Sequence, residues 1–306
     1  MSRALGGILA PVVTTFGAEG EIAVTGFRNN VAAHLAAGVD GIVVAGSTGE
    51  APLLEEEERG ALIATARSLV PPDRWLLAGV GAEGTRETVH RAHVAAARGA
   101  DAALVVAPHY FAASMEPRAR EAQLRAHFLR VADESPLPLV LYNIPKYMHF
   151  ALSAELVAEL ARHENVIAIK DSSGDSAVLD GYLASRSDRF AVLTGSGASL
   201  ATSLAAGAVG AVLAVALFAT ALVLEVRDAA QRGDAAAAAA AQERLTPLAR
   251  EIVVGMGVPG VKAALDAVGL SGGEPRLPLL PPSAEERRRV GELLAAAGVP
   301  TSSRGA

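Results

Sequence analysis

The sequence predicts an α/β protein, a closed (β/α)8 TIM barrel over residues 1–232 with a C-terminal helical extension over residues 233–306. Two observations lead to this fold. Short apolar, β-branched runs alternate with helix-like segments eight times before residue 233, and this alternation is typical of parallel strands joined by crossover helices. Beyond residue 233 the chain has helix-like segments but no strand-like run.

The eight predicted strands are mostly continuous apolar runs, the pattern of strands buried on both faces. They lie at 8–16, 41–46, 76–80, 102–108, 137–144, 166–171, 191–196 and 210–215. The predicted helices lie at 25–37, 56–70, 85–98, 118–134, 153–162, 176–185, 199–206 and 219–231. Thr25 is a plausible N-cap, and the glutamates that open the second helix favour its positive end.

The extension is predicted to be helical at 234–255, 261–268 and 284–297, with a break at 257–260 and a proline-rich stretch at 272–282. Residues 301–306 are predicted to be a frayed tail. We expect the extension to pack on the barrel.

Composition excludes several classes of function. The chain has no cysteine, which removes disulfides, thiolate metal sites and thiol nucleophiles. The net charge of −6 argues against nucleic-acid partners. No apolar run is long enough to cross a membrane, and the N-terminal apolar stretch is too short and broken for a signal peptide. His109 and His149 lack a second ligand at metal spacing, so no metal is expected. A cytoplasmic location follows as the expectation.

A dinucleotide site is the competing interpretation. Residues 79–84 spell G-x-G-x-x-G between a predicted strand and helix, and Asp101 follows about twenty residues later, as in the dinucleotide fingerprint. The segment belongs to the third unit of an unbroken run of eight, in a chain with 30 glycines. The barrel therefore remains the preferred interpretation.

Lys170 is the leading candidate for catalysis, because it lies at the end of the sixth predicted strand. Only Lys146, Lys170 and Lys262 are lysines, whereas arginine supplies the other basic residues. Burial at a strand end disfavours the charged ammonium and favours the free amine, the form that attacks carbonyls. The alternative, an ion pair with Asp171 or another acid, stays open at this point.

Other strand ends supply complementary groups, since the active site of such a barrel lies where strands end. Ser47 and Thr48 stand between glycines after the second strand and could offer N–H and hydroxyl groups to a carboxylate; a plain turn is the alternative. Tyr110 and Tyr142 follow or end the fourth and fifth strands, where a phenol can relay protons or simply pack in the core. Gly195 ends the seventh. Together these groups could hold a 2-oxo acid and form an imine.

Three motifs resemble the dihydrodipicolinate synthase / N-acetylneuraminate lyase family of class I aldolases. They are Gly46–Glu50, Tyr142–Pro145 and Ile169–Ser172, and the similarity extends over residues 8–281, including Val258–Lys262. The resemblance implies that Lys170 forms the Schiff base and that Tyr142 relays protons. It also implies that Tyr110 reaches the site of a neighbouring subunit.

The same resemblance assigns the substrate-binding residues. Ser47 and Thr48 would hold the substrate carboxylate, and Gly195 and Val212 would line the pyruvate pocket. The family implies a homotetramer built as a dimer of dimers, with pyruvate and an aldehyde as small-molecule partners. It implies no metal and no organic cofactor.

One departure bears on the substrate. Where dihydrodipicolinate synthases have an arginine that binds the aldehyde's carboxylate, this chain has Tyr147, with Lys146 beside it. The stretches 171–175, 194–197 and 256–260 look more like the 4-hydroxy-2-oxoglutarate aldolase branch. We therefore expect reversible cleavage of a 4-hydroxy-2-oxo acid to pyruvate and an aldehyde.

Three alternatives stay open for the function. One is dihydrodipicolinate synthesis from pyruvate and aspartate semialdehyde. Another is cleavage of a sugar acid of the keto-deoxygluconate or N-acetylneuraminate type. A third is a non-catalytic sensor on the same barrel, for which an intact lysine and tyrosine would be unnecessary.

Overall fold

A computed structural model describes residues 4–302 as a closed barrel of eight parallel strands, which confirms the predicted (β/α)8 fold. Each strand pairs with the next one along the chain, and β8 pairs with β1 to close the cylinder. The strands are β1 (Gly7–Pro11), β2 (Gly41–Val44), β3 (Trp75–Gly79), β4 (Ala102–Val106), β5 (Leu139–Asn143), β6 (Val166–Asp171), β7 (Ala191–Thr194) and β8 (Gly210–Val212).

Helices surround the cylinder because every parallel strand needs a crossover connection. They are α1 (Val24–Ala36), α2 (Glu56–Arg67), α3 (Thr85–Ala97), α4 (Pro117–Glu134), α5 (Pro145–Met148), α6 (Ala154–Leu160), α7 (Ser176–Leu183), α8 (Leu200–Ala206) and α9 (Thr220–Gln231). The single turn α5 lies between β5 and the crossover helix α6. The core is therefore one continuous apolar layer inside the cylinder and between the cylinder and its helices.

Two local predictions are wrong near the start of the barrel. The first strand stops at Pro11 instead of residue 16. Thr25 is not an N-cap, because α1 already begins at Val24 and no side chain caps it. The backbone holds the entry to the helix: the Ala23 N–H donates to the Thr15 carbonyl (2.8 Å), and the Thr15 hydroxyl donates to the Ala23 carbonyl (2.7 Å). These tertiary contacts leave no role for a capping side chain.

The extension contains α10 (Ala235–Pro247), a nine-residue π-helical segment (Leu248–Met256), α11 (Gly257–Ala267) and α12 (Ala284–Ala296). The predicted break at 257–260 is real only at Gly257, whose φ is +67°; residues 258–260 form the first turn of α11. Proline is tolerated there because the first N–H groups of a helix have no partner inside it. The division into domains at residue 233 remains a prediction.

Paired hydrogen bonds dock the extension on the barrel. Asn30 of α1 exchanges two bonds with the Ser271 backbone, at 2.6 and 2.9 Å. Arg276 donates to both carboxylate oxygens of Glu58, each at 2.6 Å. The Ser302 N–H donates to the Ala267 carbonyl (2.8 Å), whereas residues 303–306 of the predicted tail lie outside the described residues. None of the helices in the described part of the chain is long and apolar enough to span a bilayer.

Candidate active site

Lys170 is the penultimate residue of β6, and its side chain is only 6% exposed. It pairs in register with Tyr142 of β5 and Leu193 of β7. Its ammonium nitrogen lies 4.0 Å from the centroid of the Tyr142 ring. Within residues 4–302, no carboxylate lies within ion-pair distance (4.0 Å) of this nitrogen, so the ion-pair alternative is wrong for the described chain.

Asp171 is engaged elsewhere, because successive strand residues point to opposite faces of the barrel wall. It accepts hydrogen bonds from the Asn143 amide (2.7 Å) and from the N–H and hydroxyl of Ser173 (3.0 and 2.7 Å). Burial raises the pKa of this carboxyl, although these hydrogen bonds oppose the shift. Asp171 therefore joins β5 to β6 behind the site and leaves Lys170 facing the cavity.

A cavity of about 120 Å³ opens at the C-terminal end of the barrel beside Lys170. Six of the seven predicted site residues line it: Ser47, Thr48, Tyr142, Lys170, Gly195 and Val212. Its volume is below the range of about 300–1,000 Å³ typical of drug-sized ligands. The cavity suits a small molecule such as a three-carbon acid.

Gly195 owes its place to the lysine and to a neighbouring serine. A Cβ atom at position 195 would lie 1.9 Å from the Ser172 hydroxyl oxygen and 3.0 Å from Cε of Lys170. Any side chain would therefore push both groups away. The missing side chain leaves Lys170 the room to occupy the cavity.

The loop after β2 presents Ser47 and Thr48. Ala45 and Glu50 flank it with positive φ angles of 53° and 58°, a strained backbone for residues other than glycine. Ser47 and Thr48 open a 3₁₀ turn, in which the first N–H groups have no acceptor. No hydrogen bond engages either hydroxyl among the residues that the structure describes. The loop can therefore donate to a carboxylate.

A buried ion pair anchors this loop. Glu50 and Lys262 are at most 2% exposed, and their charged atoms lie 2.6 Å apart. Glu50 also accepts from the Arg276 N–H (2.8 Å), and Lys262 donates to the Glu274 carbonyl (2.8 Å). Burial lowers the pKa of Lys262 and outweighs the opposing effect of Glu50. Sequence reasoning noted Lys262 only within a motif and missed the pair, although the scarcity of lysine was a usable signal.

A larger cavity of about 900 Å³ adjoins the first. The two cavities share Ser47, Tyr142, Ile144, Lys146, Tyr147, Gly257 and Val258 as lining residues. Lys146 and Tyr147 belong to α5, the turn directly after β5. A ligand bound at Lys170 would therefore extend past α5 into the larger space.

Tyr110 is the predicted site residue that the chain does not bring to Lys170. It lines the larger cavity, is 75% exposed, and packs edge-to-face with Phe111 at 5.0 Å between ring centroids. The role implied by the resemblance, in the site of a neighbouring subunit, stays a prediction.

The glycines of the dinucleotide-like segment are explained by packing. A Cβ at Gly79 would lie 2.0 Å from the Ala45 carbonyl oxygen, and one at Gly81 would lie 2.6 Å from Val106. These glycines let β3 and the turn after it approach their neighbours. The described residues also hold no group of three or more histidine or acidic side chains able to bind a metal.

Comparison with known proteins followed from this geometry. The dihydrodipicolinate synthetase family matches residues 4–297. A 4-hydroxy-tetrahydrodipicolinate synthase from Xanthomonas axonopodis is 38% identical over 291 residues, covering 95% of this chain and 94% of that protein. The same enzyme from a Synechococcus species is 37% identical over 293 residues, covering 95% of each.

Solved structures agree with the sequence matches. Dihydrodipicolinate synthase from Aquifex aeolicus superposes with a TM-score of 0.90 at 30% identity, covering 98% of this chain and all of that one. YagE, a prophage protein of the same family from E. coli K12 solved in complex with pyruvate, has a TM-score of 0.88 at 30% identity, with 97% and 99% covered.

Proposed function

The chain belongs to the dihydrodipicolinate synthetase family, and from this premise we propose that Lys170 forms an imine with pyruvate. Membership makes the protein a pyruvate-dependent carbon–carbon lyase of the class I aldolase kind. The observation that carries the residue assignment is the Lys170 ammonium, without a counter-charge in residues 4–302 and 4.0 Å from the Tyr142 ring centroid. Ser47 and Thr48 complete the arrangement as donors to the carboxylate.

The chemistry follows from these positions. The neutral amine of Lys170 attacks the carbonyl carbon of the 2-oxo acid, and loss of water leaves the imine. When the bond between carbons 3 and 4 breaks, its electron pair moves into the imine to form an enamine. Tyr142 takes the proton of the C4 hydroxyl, and C4 leaves as the carbonyl carbon of an aldehyde. Protonation of the enamine at carbon 3 and hydrolysis release pyruvate.

Two candidates differ in the aldehyde. The motifs and Tyr147 at the arginine position support cleavage of a 4-hydroxy-2-oxoglutarate-like acid. The names of the curated relatives support the second candidate, 4-hydroxy-tetrahydrodipicolinate synthesis from pyruvate and aspartate semialdehyde, and do so over nearly the whole chain. On present support the relatives favour this second reaction, although both candidates use the same pyruvyl-lysine imine.

Reduction with borohydride in the presence of pyruvate tests the imine. We expect a stable adduct on Lys170, and loss of the adduct in Lys170→Ala with the fold retained. Since the chain has three lysines, mass mapping of the modified peptide is unambiguous. An adduct on Lys146 or Lys262, or none at all, would contradict the assignment.

A substrate panel tests the aldehyde. Retro-aldol cleavage of 4-hydroxy-2-oxoglutarate is compared with condensation of pyruvate and aspartate semialdehyde through kcat/KM. Keto-deoxygluconate and N-acetylneuraminate represent the sugar-acid alternative. The first candidate fails if condensation with the semialdehyde exceeds retro-aldol cleavage, and both fail if only a polyol acid is turned over.

We also propose the homotetramer that the resemblance implies. Tyr110 and the 68%-exposed Phe111 support a contact between subunits at the rim of the larger cavity. Sedimentation analysis of wild type and Tyr110→Ala checks this; monodisperse monomers would contradict it. The cytoplasmic location stays a prediction, to be tested by cell fractionation.

A further inference from the structure

Five charged side chains line the two cavities, and most of them are neutralised locally. Glu50 pairs with Lys262 at 2.6 Å. Arg91 lies 3.1 Å from Glu56 and 3.0 Å from Glu87. The fifth acceptor group, Glu83, is covered below with its donors. These pairs contribute little net charge to the space that a ligand would occupy.

Glu83 accepts backbone N–H groups of His109 (3.0 Å) and Tyr110 (2.9 Å). The remaining two side chains are Lys146 and Lys170, and neither has a carboxylate within ion-pair distance anywhere in residues 4–302. Uncompensated charge of one sign in a cleft attracts ligands of the opposite sign. The described site therefore has one cation at each end of the path between the cavities.

Lys146 is held where it can reach a ligand. Its ammonium donates to the Val254 carbonyl at 2.7 Å, in the π-helical segment that covers the cavity mouth. An ammonium has three donors, so two remain for a ligand. Lys146 lines both cavities, together with Tyr142 and Tyr147. The neighbouring Tyr147 ring centroid lies 5.8 Å from the Lys146 nitrogen and adds no charge of its own.

We propose that Lys146 determines specificity by binding a second carboxylate, at the far end of the substrate. The inference rests on the proposed function, in which the first carboxylate lies on the Ser47–Thr48 loop and the carbonyl carbon reacts with Lys170. The preferred substrates are then 2-oxo acids with two carboxylates, assembled from pyruvate and an aldehyde that itself carries a carboxylate. This substrate class includes both aldehydes considered above.

The use of lysine has a consequence for selectivity. Arginine binds a carboxylate through two parallel hydrogen bonds of defined geometry, whereas lysine acts as a compact charge on a flexible stem. Lys146 should therefore accept distal carboxylates at somewhat different distances and orientations. A bidentate arginine would select one of them more strictly.

A purely structural role is the competing explanation, because the hydrogen bond to Val254 also ties α5 to the π-helical segment. Two substitutions separate the roles. Lys146→Gln keeps a hydrogen-bond donor and removes the charge. Lys146→Arg keeps the charge. A structural tether would be rescued by glutamine, whereas recognition of an anion would be rescued only by arginine.

The test uses 2-oxoglutarate and 2-oxopentanoate, which differ only in a carboxylate against a methyl group at the far end. Each is trapped on the full-length protein with borohydride over a concentration range, and the ratio of half-saturating concentrations is measured. We expect wild type to favour 2-oxoglutarate, and Lys146→Gln to reduce that preference by about 10- to 100-fold, the value of a hydrogen bond to a charged group. Lys146→Arg should retain most of it.

The outcomes separate this inference from the proposed function. If wild type traps pyruvate but shows no preference between the two longer acids, the role of Lys146 is refuted and the imine stands. An unchanged preference in Lys146→Gln refutes it as well. If wild type traps no 2-oxo acid, the proposed function itself fails. Raising the salt concentration should weaken the wild-type preference, since the interaction is ionic.

Discussion

The buried pair of Glu50 and Lys262 allows a quantitative prediction about the stability of the site. Lys262→Met removes the cation from a position that is 1% exposed and leaves the Glu50 carboxylate buried with only the Arg276 N–H beside it. Removing one partner of a buried pair typically costs about 3–5 kcal/mol, because the remaining charge is uncompensated. We expect a loss of that size in the free energy of unfolding.

The lowered pKa of Lys262 refines the expectation. Desolvation already outweighs the attraction of Glu50, so the pair is costly to bury, and removing both charges should cost less than removing one. The double variant Glu50→Gln with Lys262→Met keeps an acceptor for the Arg276 N–H. It should therefore be more stable than Lys262→Met alone, with a coupling of about 0.5–3 kcal/mol.

Urea unfolding followed by circular dichroism measures these differences. Arg125→Met is the matched control, because Arg125 and Glu159 form a half-exposed pair at 2.8 Å, and such pairs contribute about 1 kcal/mol or less. The reasoning is refuted if Lys262→Met costs no more than Arg125→Met. It is equally refuted if the double variant is as unstable as the sum of its two single variants.

Two further predictions concern the catalytic phenol and acid stability. Tyr142→Phe should retain pyruvate trapping on Lys170 but lower kcat by about 10²–10⁴, the usual worth of a proton-transfer group; loss of trapping with an intact fold would show that the phenol acts earlier. Burial lowers the pKa of His34 and His127 to about 4. Since the unfolded chain binds these protons from about pH 6.5 downward, stability should fall between about pH 6.5 and 4, by up to about 3 kcal/mol per histidine. His127→Gln should flatten the unfolding free energy measured over this range, and an unchanged slope would contradict the assignment.

Local signals predicted the barrel and the lysine because each depends on residues close together along the chain. Continuous apolar runs such as 166–169 indicate strands buried on both faces, and alternation with helices restricts the order of strands. Once β5 and β6 are neighbours in a parallel barrel, Tyr142 and Lys170 at their ends must lie near each other. That inference needed no coordinates.

Other features needed the folded chain. The end of β1, the uncapped start of α1 and the π-helical segment depend on contacts with distant backbone, which local propensity does not encode. Arg276 and Glu50 are 226 positions apart, so their contact could not be read from spacing. The same holds for Lys146, whose position is set by the Val254 carbonyl across 108 positions.

The sequence by itself determined the architecture, the amine at the end of β6 and the phenol beside it, because periodicity and strand order are local properties. Only the tertiary structure decided which charges are neutralised. Glu50, Asp171 and Arg91 are engaged, while Lys146 and Lys170 have no opposite charge among the described residues. Charge pairing depends on three-dimensional distance, and no pattern along the chain measures that distance.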